Sequence, residues 1–203
     1  KNIKNIEPPT RLFFYPYLQT SINAQKGLSS NSSYSAGLDL KYGINNSFTL
    51  DMTLIPDFGQ VSFDDRELNL SPFEQQFDEK RAFFTEGADL FEKADGMGWR
   101  SGNFFYSRRI GQDIRFNEDD YLNDGDELIE YDEKPNLINS IKVTGTTDGN
   151  LSIGFLNALT AKAYAYIKNG TSTRKEVISP LTNYNVISLS QKLINDYSSI
   201  SFL

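Results

Sequence analysis

The 203-residue chain contains no cysteine and no histidine, and only one tryptophan and two methionines. Without cysteine there is no disulfide framework, no thiolate nucleophile and no cysteine-bound zinc. The lack of histidine excludes more: no Ser-His-Asp or Cys-His pair and no imidazole-held metal can be assembled, so chemistry would fall to carboxylates, lysine, tyrosine or arginine. No apolar run reaches the ~18 residues of a membrane-spanning helix. Positive charge is sparse too. The 20 lysines and arginines are scattered among 27 acidic residues, leaving a net charge of -7, which argues against nucleic acid as a partner. Lys1-Asn2-Ile3-Lys4 leads into no apolar core and does not read as a secretory leader. The chain therefore reads as a mature product or an excised piece, and no cofactor is implied.

What is present is alternation. Residues 1–10, ending Glu7-Pro8-Pro9-Thr10, read as a linker from an upstream domain, since consecutive prolines cannot join a sheet centrally. An aromatic-rich strand is expected from Arg11 to about Ala24, turned back by Gly27-Leu28-Ser29-Ser30-Asn31. Tyr34, Ala36, Leu38, Leu40 and Tyr42 then share one face, and Ser33, Ser35, Gly37, Asp39 and Lys41 the other. The two tyrosines lie about 27 Å apart at about 3.4 Å per residue, the spacing of two aromatic girdles around a bilayer core. A soluble hairpin with tyrosines at its rims gives the same pattern. After Gly43-Ile44-Asn45-Asn46, residues Phe48, Leu50, Met52 and Leu54 alternate with Thr49, Asp51 and Thr53. Pairing across that turn would put Asp39, Lys41 and Asp51 on one polar side, facing water in a sandwich and the lumen in a barrel.

From 56 to 135 alternation stops, a stretch too long for an ordinary connection, which must fold on itself or occupy a lumen. It resumes at Leu137, Ile141 and Val143 against Ser140, Lys142 and Thr144; Asp148-Gly149 makes a turn, and Leu151, Ile153 and Phe155 begin the return. Segments 182–192 and 196–203 read the same way around Asn195-Asp196. The expectation is an all-β fold of about six to eight strands. Strands at 11–55 and 136–203 flank a long irregular insertion at 56–135, and the last segment, Ile200 to Leu203, looks like a strand interrupted midway.

The string Gly37 to Gly43, followed by Leu50-Asp51-Met52-Thr53-Leu54 and Pro56-Asp57-Phe58-Gly59-Gln60-Val61, resembles the start of the barrel region in proteins grouped as domain of unknown function 5916. Further matches follow in order. They are Leu68-Asn69-Leu70-Ser71, Phe73-Glu74, Phe77, Glu79-Lys80-Arg81, Phe83-Phe84, Glu86 to Phe91, Phe105-Tyr106-Ser107-Arg108-Arg109-Ile110-Gly111 and Leu156 to Ala161. Ala82 departs from the pattern, standing where proline is expected after Lys-Arg. The resemblance implies the first portion of an antiparallel β-barrel in the outer membrane of a Gram-negative, Bacteroidetes-like bacterium, usually preceded by a family 9-like carbohydrate-binding module. It supplies location more than activity.

Charges of both signs among aromatics mark the insertion. The block from Glu79-Lys80-Arg81 to Glu86 and Asp89, with Arg108 and Arg109 downstream, is expected to form Arg-carboxylate pairs that hold the inserted loop, since Arg binds carboxylate bidentately and tolerates partial burial. The alternative is a lumen site gripping an anionic or sugar substrate, with Trp99 and Tyr106 stacking on sugar rings. Glycoside chemistry needs two facing acids about 5 to 9 Å apart; Glu74, Glu79, Glu86 and Asp89 are the candidates, and spacing selects no pair. Between Glu118 and Glu133, carboxylates with Asn123 and Gly125 suggest calcium. The EF-hand frame fails, because Gly125 at its sixth position places Leu122 third and Tyr131 twelfth. A different calcium loop on Asp120, Asp124 and Asp126 is set against a solvated acidic loop.

The leading expectation is an outer-membrane barrel acting as a surface or transport component, with outer-membrane lipid, a glycan and other outer-membrane proteins as partners. A carboxylate-dependent glycan hydrolase and a soluble β-sandwich binding module are the alternatives. The sandwich predicts that Tyr34, Leu38, Leu40 and Tyr42 pack against a second sheet.

Overall fold

A computed structural model describes residues 11–23, 31–55, 77–91, 105–194 and 198–203. The expected linker at 1–10, Gly27 to Ser30 of the first turn, the Pro56 to Val61, Leu68 to Ser71 and Phe73-Glu74 strings, Trp99 and the Asn195-Asp196 turn lie outside them.

Ten strands form. They are β1 (Leu12–Asn23), β2 (Asn31–Gly43), β3 (Phe48–Leu54), β4 (Asp126–Tyr131), β5 (Leu137–Thr146), β6 (Leu151–Thr160), β7 (Ala163–Asn169), β8 (Ser172–Ser179), β9 (Thr182–Lys192) and β10 (Ser199–Phe202). Seven make one sheet in the order β1-β2-β3-β5-β6-β9-β10, and three make another, β4-β7-β8. Every pairing is antiparallel. Pro16 is tolerated within β1 because that strand pairs only with β2, leaving its missing N–H at an edge. The Asn45 side chain closes the β2–β3 turn by accepting the N–H groups of Ser47 and Phe48, both at 2.8 Å.

The second sheet continues the first. β4 precedes β5, β7 follows β6 and β8 precedes β9, and Asp132 N–H to the Tyr164 carbonyl (2.9 Å) and Ala161 N–H to the Asn136 carbonyl (2.7 Å) bridge the break. Three strands thus run through a kink into a ribbon, and the strands of this ribbon were not expected from the alternation. The stretch without regular period ends at Asp126 rather than 135, and residues 163–179 add two further strands.

Register sorts the main sheet into two faces. One carries the rows Phe13-Lys41-Asp51-Lys142-Leu156-Val186 and Tyr15-Asp39-Thr53-Ser140-Ala158-Tyr184, so the expected coincidence of Asp39, Lys41 and Asp51 holds. Further along the same face runs a row of hydroxyls: Thr146, Ser152, Ser190 and Ser201. Thr146 and Ser152 lie 2.9 Å apart, as do Ser190 and Ser201. The other face carries Leu12, Phe14, Leu38, Leu40, Tyr42, Leu50, Met52, Ile141, Val143, Phe155 and Ile187.

Burial is inverted between them. The core cluster of Phe84, Phe91, Ile110, Leu137, Leu156 and Ala158 lies on the polar face, under residues 77–91 and 105–111. On the apolar face Tyr34 is 75% exposed, and Leu12, Phe14, Leu18, Ile187, Ile200 and Phe202 are exposed as well. No second sheet covers Tyr34 or its neighbours among the described residues, contrary to the sandwich expectation. Leu159 aside, the apolar runs end at Tyr34 on β2, Leu54 on β3, Ile141 on β5, Phe155 on β6 and Ile187 on β9. Register makes that border a diagonal, for Leu54 sits beside Asn139 and Ile141 beside Asn157. Asn157 donates to the Asn183 and Asn185 side chains at 2.6 and 2.8 Å, forming a polar belt past the border.

Candidate functional site

The covering segment is short helices and turns: helix α1 (Ala82–Thr85), a 3-10 turn at Ala88–Leu90 and another at Ser107–Arg109. Ala82 opens α1, the first helical position, where proline is well accommodated.

Arg81 organises the interior of this segment. Its Nε and Nη2 donate to the two oxygens of Glu79 at 2.8 and 2.7 Å, and its guanidinium also donates to the Ile110 and Ser107 carbonyls at 2.7 and 2.8 Å. The guanidinium lies 4.3 Å from the Phe84 ring centroid. Glu79 also accepts from the Arg81 N–H (2.9 Å) and the Ser107 hydroxyl (2.6 Å). Burial pushes the Glu79 pKa up, but the hydrogen bonds from Arg81 and Ser107 and the Arg81 charge outweigh burial, leaving it below its ordinary value. An acid held ionised in this way is the opposite of a glycosidase proton donor.

The other expected residues are distributed around this clamp. Tyr106 accepts the Phe77 N–H at 2.8 Å, tying 105–111 to the start of the 77–91 segment. Arg108 donates to the Asp78 carbonyl at 2.8 Å, and Arg109 lies 5.8 Å from the Tyr106 ring centroid. The Arg-carboxylate pair expected in this block is therefore made by Arg81 with Glu79. Asp89 is exposed on its turn. A cavity of about 220 Å³ lies between Phe77, Glu79, Phe84, Phe91, Tyr106 and Leu156.

A second cluster joins the segment to the sheet. Lys41, Asp51 and Lys142 stand side by side on adjacent strands, with Asp51 3.8 Å from Lys41 and 3.9 Å from Lys142. Lys142 is 1% exposed, and its ammonium donates to the Phe83 and Glu86 carbonyls at 2.6 and 2.5 Å. Glu86 pairs with Lys41, and the Ser188 hydroxyl donates to the Leu90 carbonyl. Gly154 leaves room for Phe91, since a Cβ there would lie 3.0 Å from its ring. The sequence marks Lys142 only as one polar position in an alternating strand; its contact with residue 83 requires the long-range register.

The acidic run divides differently from the calcium expectation. Asp120 is engaged by Asn117 (3.1 Å) at the start of helix α2 (Glu118–Tyr121). Asp126 accepts from the Asn123 N–H at 2.8 Å, Asn169 at 2.8 Å and Arg174 at 2.7 Å, and Arg174 also donates to the Tyr121 carbonyl at 2.7 Å. Those three donors hold the Asp126 carboxyl at about 2. Among the described residues no three acidic side chains converge as metal ligands, so Asp120, Asp124 and Asp126 are not brought together. Asp126 instead fastens the ribbon. With a folded pKa below the unfolded value of about 3.9, its contribution is complete above about pH 4 and is lost as pH falls through about 2. The protection factors of β4 and β8 amides, corrected for the intrinsic pH dependence of exchange, should accordingly stay flat from pH 7 to 4, whereas Asp126→Asn should lower them throughout that range.

The model of a family described as a domain of unknown function, DUF5916, matches residues 8–203. The chain belongs to the DUF5916 family. No curated protein and no solved structure matches it. In this DUF5916 chain the matched span takes in both charge clusters and the whole sheet.

Proposed function

We propose that this DUF5916 chain forms part of the wall of an outer-membrane β-barrel, with residues 77–91 and 105–111 as a plug in its lumen, and that the barrel serves passage or surface handling of neutral hydrophilic molecules such as glycans. The observation that carries this reading is the inverted burial: the charged face lies under the chain's own insertion while no described residues cover the Leu, Ile, Val and Phe face. In water such a face would drive association; in lipid it is the favourable side. The diagonal border supports the same reading, because a level membrane edge crosses strands tilted by about 35–45° as a diagonal.

Connection lengths suggest an orientation. At one end the links are short, at 44–47, 147–150 and 193–198; at the other they span 24–30, 55–136 and the ribbon at 161–181. Outer-membrane barrels have short periplasmic turns and longer extracellular loops, which supports an orientation with the ribbon outside the cell. Neutral cargo is favoured by the Thr146-Ser152-Ser190-Ser201 row, which supplies hydroxyl donors and acceptors without charge.

The test is fractionation of the full-length protein followed by electrophoresis with and without heating. Recovery in the outer membrane with heat-shifted migration is expected. A soluble species with unshifted migration would reject the barrel.

A further inference from the structure

We propose that Phe13, Tyr15 and Tyr17 form an aromatic rail on the inner side of the wall, against which the rings of a neutral saccharide stack; this rests on the barrel reading above. The register of β1 turns these three residues to the face that carries Lys41, Asp39 and Gly37 on β2, while Leu12, Phe14 and Leu18 lie on the apolar side. The interior of an outer-membrane barrel is ordinarily polar. Lipid accounts for the exposure of Phe14 and Leu18. It does not account for Phe13 and Tyr15, which are 49% and 58% exposed on the charged side.

The covering segment has its seat elsewhere. Its core cluster gathers Leu137, Leu156 and Ala158, with Tyr184 and Val186 packed against it, on β5, β6 and β9, whereas β1 is the sheet edge beyond β2 and β3. The rings of Phe13 and Tyr15 are aligned, 8° from parallel with centroids 6.4 Å apart. Tyr17 continues the line. It lies over Gly37, where a Cβ would collide with its ring, and its hydroxyl donates to the Ile55 carbonyl at 2.5 Å.

A polar track of mixed sign runs beside the rail. Lys41 stands opposite Phe13 and Asp39 opposite Tyr15; Asp39 is exposed, with one oxygen accepting the Thr53 hydroxyl at 2.6 Å. A pyranose is two-sided in the same sense: its C–H face suits an aromatic ring, and its hydroxyls both donate and accept. An anion would be repelled at Asp39 and a cation at Lys41, so a neutral sugar is the ligand that suits the whole length.

Full-length protein with verified heat-shifted migration would be inserted into planar bilayers. Ion current would be followed while maltotriose is added, or sorbitol as a polyhydroxyl without a ring. Wild type should carry a current that maltotriose blocks at concentrations where sorbitol does not. Phe13→Ala and Tyr15→Ala should each raise the half-blocking maltotriose concentration about tenfold, the loss of one stacking contact. Tyr15→Phe, which keeps the ring, and Phe14→Ala, on the lipid side of the same strand, should leave it within about twofold.

No current through heat-shifted protein, equal block by the two solutes, or equal shifts for Tyr15→Ala and Phe14→Ala would overturn the rail. So would a Tyr15→Phe shift as large as that of Tyr15→Ala, which would replace stacking by a hydroxyl contact. Loss of the heat-shifted form in Tyr15→Ala would overturn it as well, making these rings packing for another part of the wall. If wild type itself shows no heat-shifted migration, the barrel reading has failed first and the rail falls with it.

Discussion

Arg81→Met is expected to loosen residues 77–91 and 105–111 far more than Glu79→Gln. Removing Arg81 leaves an ionised carboxylate, its side chain only 8% exposed, with the Ser107 hydroxyl and a backbone N–H as its remaining donors. It also orphans the Ile110 and Ser107 carbonyls that the guanidinium serves. Breaking one side of a buried pair costs about 3–5 kcal/mol. Glu79→Gln keeps an acceptor for the guanidinium and leaves both carbonyl contacts intact, so it should lose about 1–3 kcal/mol. Hydrogen exchange and limited proteolysis across 77–111 would read the difference. Equal protection in the two variants would mean that the clamp does not hold the segment. Acid adds a second sign check: Glu79 sits below its ordinary pKa, so its contribution is present above about pH 4.3 and fades as pH drops through the folded value.

Met52→Arg should weaken folding into lipid by about 2–4 kcal/mol, the penalty for a cation on the lipid face near the bilayer midplane. Met52 lies between Leu40 and Ile141 in the middle of the apolar face. Thr146→Arg, on the opposite and exposed face, should stay within about 0.5 kcal/mol. Urea titration of vesicle-folded protein, read by heat-shifted migration, makes the comparison. Equal effects at the two positions would contradict a lipid-facing side.

The parts of this fold readable from sequence are those whose two faces meet unlike surroundings. β2, β3, β5 and the start of β6 alternate because one side is apolar and the other carries Asp39, Lys41, Asp51 and Lys142, and β9 falls where the alternation puts it, at 182–192. The ribbon strands obey no such contrast. β4 reads Asp-Glu-Leu-Ile-Glu-Tyr with an irregularity between Leu128 and Glu130 that shifts its parity, and β8 carries Arg174, Lys175 and Glu176 in a row. Their pairing is fixed by the Asp126-Arg174-Asn169 cluster, which joins residues more than 40 positions apart. The same limit applies to the site. Mixed charge among aromatics singled out a block that holds Glu79 and Arg81, but which arginine meets which acid is decided by how 77–81 and 107–110 cross. Lys142, which donates to the Phe83 and Glu86 carbonyls, comes from a strand that gives no local sign of those contacts.

The Ser188 to Leu90 contact spans 98 positions in sequence, and this orders events during folding. Residues 77–91 are synthesised before β5, yet part of their seat is supplied by β6 and β9, the third and sixth strands made after them in the main sheet and ribbon together. Pairing β3 with β5 first closes a loop of some 80 residues, whose entropy rises only slowly with length, and the wall can zip strand by strand while that loop hangs free. The segment then docks as a late, long-range step, which slows completion without slowing sheet growth. In the barrel proposed above, the wall would enclose an unfilled interior until β9 is in place, so the interval between zipping and docking would be a window of leakiness during biogenesis.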